Sequence, residues 1–222
     1  MPLTLFINKM CPFSHRAYIA AVEKGLVENG TVEIVEVPLP TPEWFNTEIN
    51  PRQALPALRL ENGLVIPESL VVVQYLDEAF PSNIALMPKD PKDRADIRVF
   101  IADFDTLVSG LQKVKFEKDE SKRAPLIQSS KEDIAFIERA LEAKSKGPYF
   151  LGEQFSLADI AILPVTDRNR YTLPEFFGFD FLAEAPRLAA LISAAETRSS
   201  FRDTTQSKEA YLAYFKKVLQ TH

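Results

Sequence analysis

Cysteine is nearly absent from this chain: Cys11 is the only one in 222 residues. A single thiol excludes an internal disulfide framework and fits a reducing compartment. Histidine is almost as scarce, with His15 and His222 alone. Two imidazoles and one thiolate argue against a dedicated zinc site, so no metal is expected. Basic residues fall short of acidic ones, 26 Lys and Arg against 31 Asp and Glu, leaving a net charge of −5 and a pI near 5.2. That balance argues against nucleic acid or an anionic membrane as the main partner. Glycine is scarce, no repeat or low-complexity tract occurs, and no run approaches the ~18 apolar residues of a spanning helix. The chain opens directly into a strand pattern, without a basic region followed by an apolar run, so no secretion signal is expected and the cytoplasm is the expected location. What is abundant is apolar material, 46% of residues, enough for one large domain or two small ones.

The first segment, residues 1–80, alternates strand and helix patterns. Leu3-Thr4-Leu5-Phe6-Ile7 reads as a short strand. An apolar-periodic helix follows, carrying Phe13, Ala17, Ile19, Ala20, Val22 and Leu26, with Gly25 and Gly30 marking its end and the next turn. Thr31 to Val37 is a second strand, rich in β-branched residues. Strand, helix, strand implies a right-handed parallel crossover. Pro38, Pro40 and Pro42 then interrupt regular structure. Ala57 to Leu60 and Leu64 to Ile66 flank Glu61-Asn62-Gly63, a hairpin signal. Pro67-Glu68-Ser69 opens another helix with Leu70, Val73, Leu76 and Phe80 near one face. The order β-α-β followed by β-β-α describes a thioredoxin-like domain.

Cys11 stands between the first strand and the first helix. Pro12 suits a first helical turn, where its missing N–H would be unpaired anyway. Cys11 then falls at the N-cap, facing free backbone N–H groups and the positive end of the helix dipole. Such an environment favours thiolate over thiol, and the thiolate is what attacks disulfides and electrophiles.

Cys11-Pro12-Phe13-Ser14, Trp44-Phe45, Asn50-Pro51, Leu55-Pro56-Ala57-Leu58 and Pro67-Glu68-Ser69 together resemble the N-terminal domain of the cytosolic glutathione transferases. Cysteine at the first site, in place of tyrosine or serine, resembles the omega class and its relatives, among them dehydroascorbate reductases, glutathionyl-conjugate reductases and chloride intracellular channel proteins. The resemblance implies glutathione as co-substrate and a cis bond before Pro56. It implies Cys11 as nucleophile, the backbone of Leu55 for the cysteinyl part of glutathione, Ser69 for the γ-glutamyl carboxylate and Glu68 for its amine. Phe13 is grouped with these residues; it lines the acceptor pocket or packs in the core, and both readings stand. One departure is plain. Omega-class relatives often carry a lysine before the Asn-Pro pair, whereas Ile49 stands here in a loop one residue longer; Arg52 or Gln53 are the candidates to replace it. His15 reads as a surface residue of the first turn.

Pro81-Ser82-Asn83 begins a polar connection, residues 81–91, and residues 92–222 read as an all-α domain. Ile97, Phe100, Ile101, Phe104, Leu107, Val108 and Leu111 recur at helical spacing, as do Ile134, Ile137 and Leu141 after the charged stretch Glu117 to Arg123, and then Tyr211, Phe215, Val218 and Leu219. Ser156-Leu157-Ala158-Asp159 is a capping box, with Phe155 and Ile160 placed as a hydrophobic staple. A catalytic carboxylate at Asp159 is the alternative, and the cap is the stronger reading. An acceptor pocket is expected between the two domains, with Phe104, Leu107, Leu111, Phe116, Arg168 and Tyr171 as candidate lining; each is also a natural core or surface position.

A lone cysteine cannot resolve its own mixed disulfide, so any redox cycle through Cys11 needs an external thiol. The expected activity is thiol transfer and reduction through a Cys11–glutathione mixed disulfide, on mixed disulfides, S-glutathionyl conjugates or dehydroascorbate. Two other readings stay open: a non-enzymatic channel-like or scaffold relative, and a conjugating transferase in which Ser14 or a tyrosine assists glutathione. The resemblance also implies a homodimer.

Overall fold

The computed structural model describes residues 2–82 and 84–221; Asn83 of the expected connection and His222 lie outside the described residues. It divides into two compact units, Met1–Met87 with Glu196–Gln206, and Pro88–Ala195 with Ser207–His222.

The first unit contains strand β1 (Leu3–Ile7), helix α1 (Pro12–Glu23), strand β2 (Val32–Glu36), helix α2 (Glu43–Glu48), strands β3 (Ala57–Arg59) and β4 (Val65–Pro67), helix α3 (Ser69–Ala79) and the short α8 (Ser199–Arg202). The sheet order is β2-β1-β3-β4. β1 pairs β2 in parallel, Leu5 opposite Ile34, and β3 antiparallel, Leu5 opposite Leu58. Every residue of β1 is buried, as an inner strand covered on both faces demands. α1 packs against α3. This is the thioredoxin-like arrangement.

Two local expectations shift. Pro67 belongs to β4, paired with Ala57, and does not open the helix. An edge strand tolerates a residue with no N–H to donate, and β4 is at the edge. The proline-rich stretch after β2 contains α2, a six-residue helix. Its reason is tertiary: Phe45 is fully buried, edge-on to Phe6 at 5.8 Å between ring centroids.

The segment of α8 is tied to α1 at two places. The carboxylate of Glu23 receives Arg198 and the Ser200 hydroxyl. Near the other end of α1, His15 Nε2 lies 2.8 Å from Thr204 Oγ1 and its ring stacks on Phe201. His15 is therefore buried, not a surface residue, because this later segment of the chain covers it. The residues after α3 are held in the same unit: the Asp77 carboxylate accepts from the N–H groups of Leu86 and Met87 and pairs with the buried Lys24 at 2.9 Å.

The second unit is helical: α4 (Pro91–Phe116), α5 (Glu120–Lys144), α6 (Leu157–Phe177), α7 (Pro186–Glu196) and α9 (Lys208–Thr221). α5 starts inside the charged stretch, with Asp119 capping it by accepting from the Ser121 N–H at 2.9 Å. α6 is the most buried helix and opens with the capping box at Ser156. Asp159 accepts from the Ser156 N–H at 2.8 Å, from the Ser156 hydroxyl at 2.9 Å and from the Phe150 N–H at 2.8 Å. The last bond ties the preceding loop to the cap. Among the described residues, no helix is long and apolar enough to cross a membrane.

Burial pushes the Asp159 carboxyl up to about 6, against the donated hydrogen bonds that favour its ionised form. A raised folded value means that the folded state holds the proton more tightly. The contribution is favourable below about pH 4, the unfolded value, and is lost as pH climbs through about 6. Asp159→Asn should therefore show a flatter dependence of unfolding free energy on pH across that window. Asp159→Ala should lose about 2–4 kcal/mol in chemical denaturation, since two buried N–H groups lose their acceptor; wild-type stability in the alanine variant would contradict the cap.

Candidate active site

The turn between β1 and α1 is built around Asn8. Its side-chain Nδ2 donates to the Val37 carbonyl at 2.9 Å and its Oδ1 accepts from the Met10 N–H at 3.0 Å. Its own N–H donates to Ser14 Oγ at 3.2 Å, and its carbonyl accepts from the Cys11 N–H at 3.0 Å. One buried residue thus joins the strand pair, the turn and the first helical turn. Cys11 is held at the N-cap with φ −74° and ψ 121°, Pro12 follows at the first helical position, and no side chain caps the helix. The helix N–H groups stay open beside a half-buried sulfur.

The loop before β3 faces that sulfur. The Leu55–Pro56 peptide is cis, and Cys11 Sγ lies 3.9 Å from the Leu55 carbonyl oxygen, within reach of a thiol donor. Asn50 shapes this loop: its Nδ2 donates to the Ala54 carbonyl at 2.8 Å, its Oδ1 accepts from the Arg52 N–H at 3.1 Å and its carbonyl from the Gln53 N–H at 2.9 Å. The Leu55 side chain is buried with Phe6, Val37, Phe45, Ile49 and Ala57. Among the described residues, neither the N–H nor the carbonyl of Leu55 has a backbone partner. They are available to an added extended segment.

Glu68 is the N-cap of α3 with φ 70° and ψ 118°, a left-side conformation that L-residues seldom adopt. Its carboxylate pairs with Arg52 at 3.3 Å, both side chains mostly exposed. Ser69 is buried, and its Oγ accepts from Arg16 Nη1 at 3.5 Å. The Arg16 guanidinium also lies 4.9 Å from the centroid of the Phe13 ring, which is 37% exposed. Contacts thus join Cys11 to Leu55, Phe13 through Arg16 to Ser69, and Arg52 to Glu68. Ile49, where the resemblance implies a lysine, is buried in the core and presents nothing to a ligand; Arg52 is the exposed cation of that loop.

The candidate acceptor residues belong to the helical unit. Phe104, Leu107 and Leu111 are buried in the packing of α4. Arg168 is buried on α6 and donates to the Pro164 carbonyl at 2.8 Å; Tyr171 is half-buried, 4.6 Å from the Arg170 guanidinium. Asn8 and the partner of His15 escaped the sequence reading. An asparagine just past a strand is a turn signal, but its four bonds involve residues up to 29 positions away.

A strand–turn–helix cysteine, a cis-proline loop facing it and a second helix N-terminus define a thioredoxin-like domain, followed by an all-helical unit. Comparison with known proteins gives the family. Residues 10–79 match the glutathione S-transferase N-terminal domain and residues 95–204 its C-terminal domain. The chain is 33% identical over 215 residues to glutathione S-transferase L3 of Arabidopsis thaliana, covering 96% of this chain and 86% of that protein. Among solved structures, glutathione transferase Omega 3C of Trametes versicolor superposes with a TM-score of 0.81 at 31% identity, covering 95% of this chain and 92% of that one. The trimeric Leishmania glutathione transferase TDR1 gives 0.85 at 31% identity; there 97% of this chain spans about half, 48%, of the longer chain. The chain belongs to the glutathione S-transferase family.

The Asn8 turn gives a direct expectation. Asn8→Ala should lower stability by about 1–3 kcal/mol, because a buried carbonyl and N–H lose their partners. It should also slow alkylation of Cys11 by iodoacetamide. Unaltered stability and labelling would mean that the turn does not depend on this side chain.

Proposed function

We propose that the protein is a glutathione-dependent thiol transferase and reductase working through a Cys11–glutathione mixed disulfide. The observation that carries this reading is the sulfur at an open helix N-terminus, 3.9 Å from the carbonyl of a residue whose backbone groups are otherwise unpaired. Glutathione adds to that backbone as a short strand, its cysteinyl N–H and C=O pairing with Leu55 while its sulfur meets Cys11. The γ-glutamyl carboxylate is received at the start of α3 by the N–H and hydroxyl of Ser69. Its amine goes to Glu68. Glu68 already pairs with Arg52, but an exposed pair is worth only about 0–1 kcal/mol and yields readily to a ligand. Arg52 then takes the glycyl carboxylate in place of the missing lysine.

The chemistry is two exchanges. Cys11 thiolate attacks the glutathionyl sulfur of a mixed disulfide, the Cys11–glutathione bond forms, and the other thiol leaves with the electron pair. A second glutathione thiolate attacks the glutathionyl sulfur of that adduct, forming glutathione disulfide and returning Cys11 as thiolate. No second cysteine exists to do this internally. With dehydroascorbate, the two electrons released when two glutathiones become one disulfide reduce the substrate to ascorbate. A cytoplasmic homodimer belongs to the same reading, supported by the family resemblance.

Cys11→Ala should lose at least about a hundredfold in reduction of a glutathionyl mixed disulfide, the scale expected for loss of a nucleophile. Mass spectrometry of the wild type with that substrate should show one thiol-reversible glutathione adduct at Cys11. Undiminished turnover in the alanine variant would remove the mechanism. Fast conjugation of a chloronitroaromatic with feeble disulfide reduction would favour the conjugating alternative. In light scattering at micromolar concentration, twice the chain mass is expected, and a monomeric mass would reject the dimer.

A further inference from the structure

We propose that the cavity between α5 and the segment joining α6 to α7 is a binding site for an apolar α-amino acid, whose carboxylate meets Lys131 and whose ammonium meets Asp180 and Glu184. The site lies within the helical unit and uses no thiol chemistry, so it stands or falls separately from the function proposed for Cys11.

The cavity starts from the way α6 ends. Gly178 closes that helix in the left-handed conformation, φ 62°, and the Phe179 N–H donates back to the Leu173 carbonyl at 3.2 Å. The chain then leaves the helix, anchored by the buried side chains of Phe179 and Phe181. Across from it stands one face of α5, where Ile127, Lys131 and Ile134 recur at helical spacing. The space enclosed is about 270 Å³. At about 30 Å³ for each water-sized atom, it holds roughly nine non-hydrogen atoms, the size of leucine.

The charges are divided between the two walls. Lys131 belongs to α5, whereas Asp180 and Glu184 belong to the connecting segment. Among the described residues, the side chains of Lys131 and Glu184 have no hydrogen-bond or ion-pair partner, and the Asp180 carboxylate accepts only from the Leu182 N–H, at 3.2 Å. Opposite charges thus line one cavity without reaching each other. The other side chains of the lining are apolar. A few polar groups on an apolar wall are the usual make-up of a small-molecule site. An apolar amino acid answers all of them at once: its carboxylate pairs with the lysine, its ammonium with the acids, and its side chain covers Ile134 and Phe181. A plain amine meets repulsion from Lys131, and a plain acid meets two carboxylates.

Ligand-observed NMR titration of the full chain tests the site with L-leucine, with isoamylamine, which lacks the carboxylate, and with isocaproate, which lacks the ammonium. Leucine should bind saturably at about 10 mM or tighter, the scale for a ligand of that size. It should bind about fivefold tighter than either analogue, as exposed charge pairs imply. Lys131→Met should cost leucine about fivefold without weakening isoamylamine, and the double variant Asp180→Asn, Glu184→Gln should do the same without weakening isocaproate. All three side chains belong to exposed residues, so these changes leave the core intact. Saturating glutathione and Cys11→Ala should leave leucine binding unchanged. Absence of saturable binding, equal affinity for leucine and either analogue, undiminished leucine binding in either variant, or displacement of leucine by glutathione would each overturn the proposal.

Discussion

A helix begins with backbone N–H groups that nothing inside the helix can satisfy, and here that constraint is placed beside the only thiol. Cys11 stands at the N-cap and offers no side-chain oxygen to close the first turn. Pro12 removes one orphan donor and presets the backbone angle. What remains is a polar, cation-like surface next to the Cys11 sulfur. The rest of the first unit maintains that situation. β1 delivers the chain from the interior of the sheet, and the cis Leu55–Pro56 peptide brings unpaired backbone to the opposite side.

Two asparagines do this positioning. Asn8 and Asn50 each satisfy loop backbone from their side chains, and both are buried. A loop near a core cannot leave its polar groups dry, and an amide side chain with donor and acceptor ends meets both needs from one position. The α8 segment adds a second layer by gripping α1 at His15 and at Glu23. The helix that follows Cys11 is thereby fixed at both ends by residues from almost the opposite end of the chain.

The helical unit places a carboxylate and an amine in low-dielectric surroundings with different neighbours. Asp159 is fully buried and pushed up by desolvation, yet the bonds it accepts close the start of α6 and tie the preceding loop to it. That is what a structural carboxylate looks like. Lys115 is pushed down by the same cause and by the nearby Arg168, and its Nζ lies 5.3 Å from the Phe215 ring centroid.

Much of this was legible from residue order. Period-two and period-3.6 patterns located the strands and the long helices, since those periods follow from backbone geometry. Ser156 to Asp159 announced its cap because capping acts over three residues, and Cys11-Pro12 announced the start of α1 because a helix start is a local event. The sequence could not show that His15 is buried, since Thr204 and Phe201, which cover it, are nearly two hundred positions away. Nor could it show that Phe45 would draw a proline-bounded stretch into a helix, that Asn8 would join two strands to a turn, or that Lys115 and Arg168 would meet neighbouring rings of α9. Periodicity and capping are properties of neighbours along the chain, and the amino-acid order determines them. Partnership of buried polar groups depends on which distant segments pack together, and only the tertiary structure decides that.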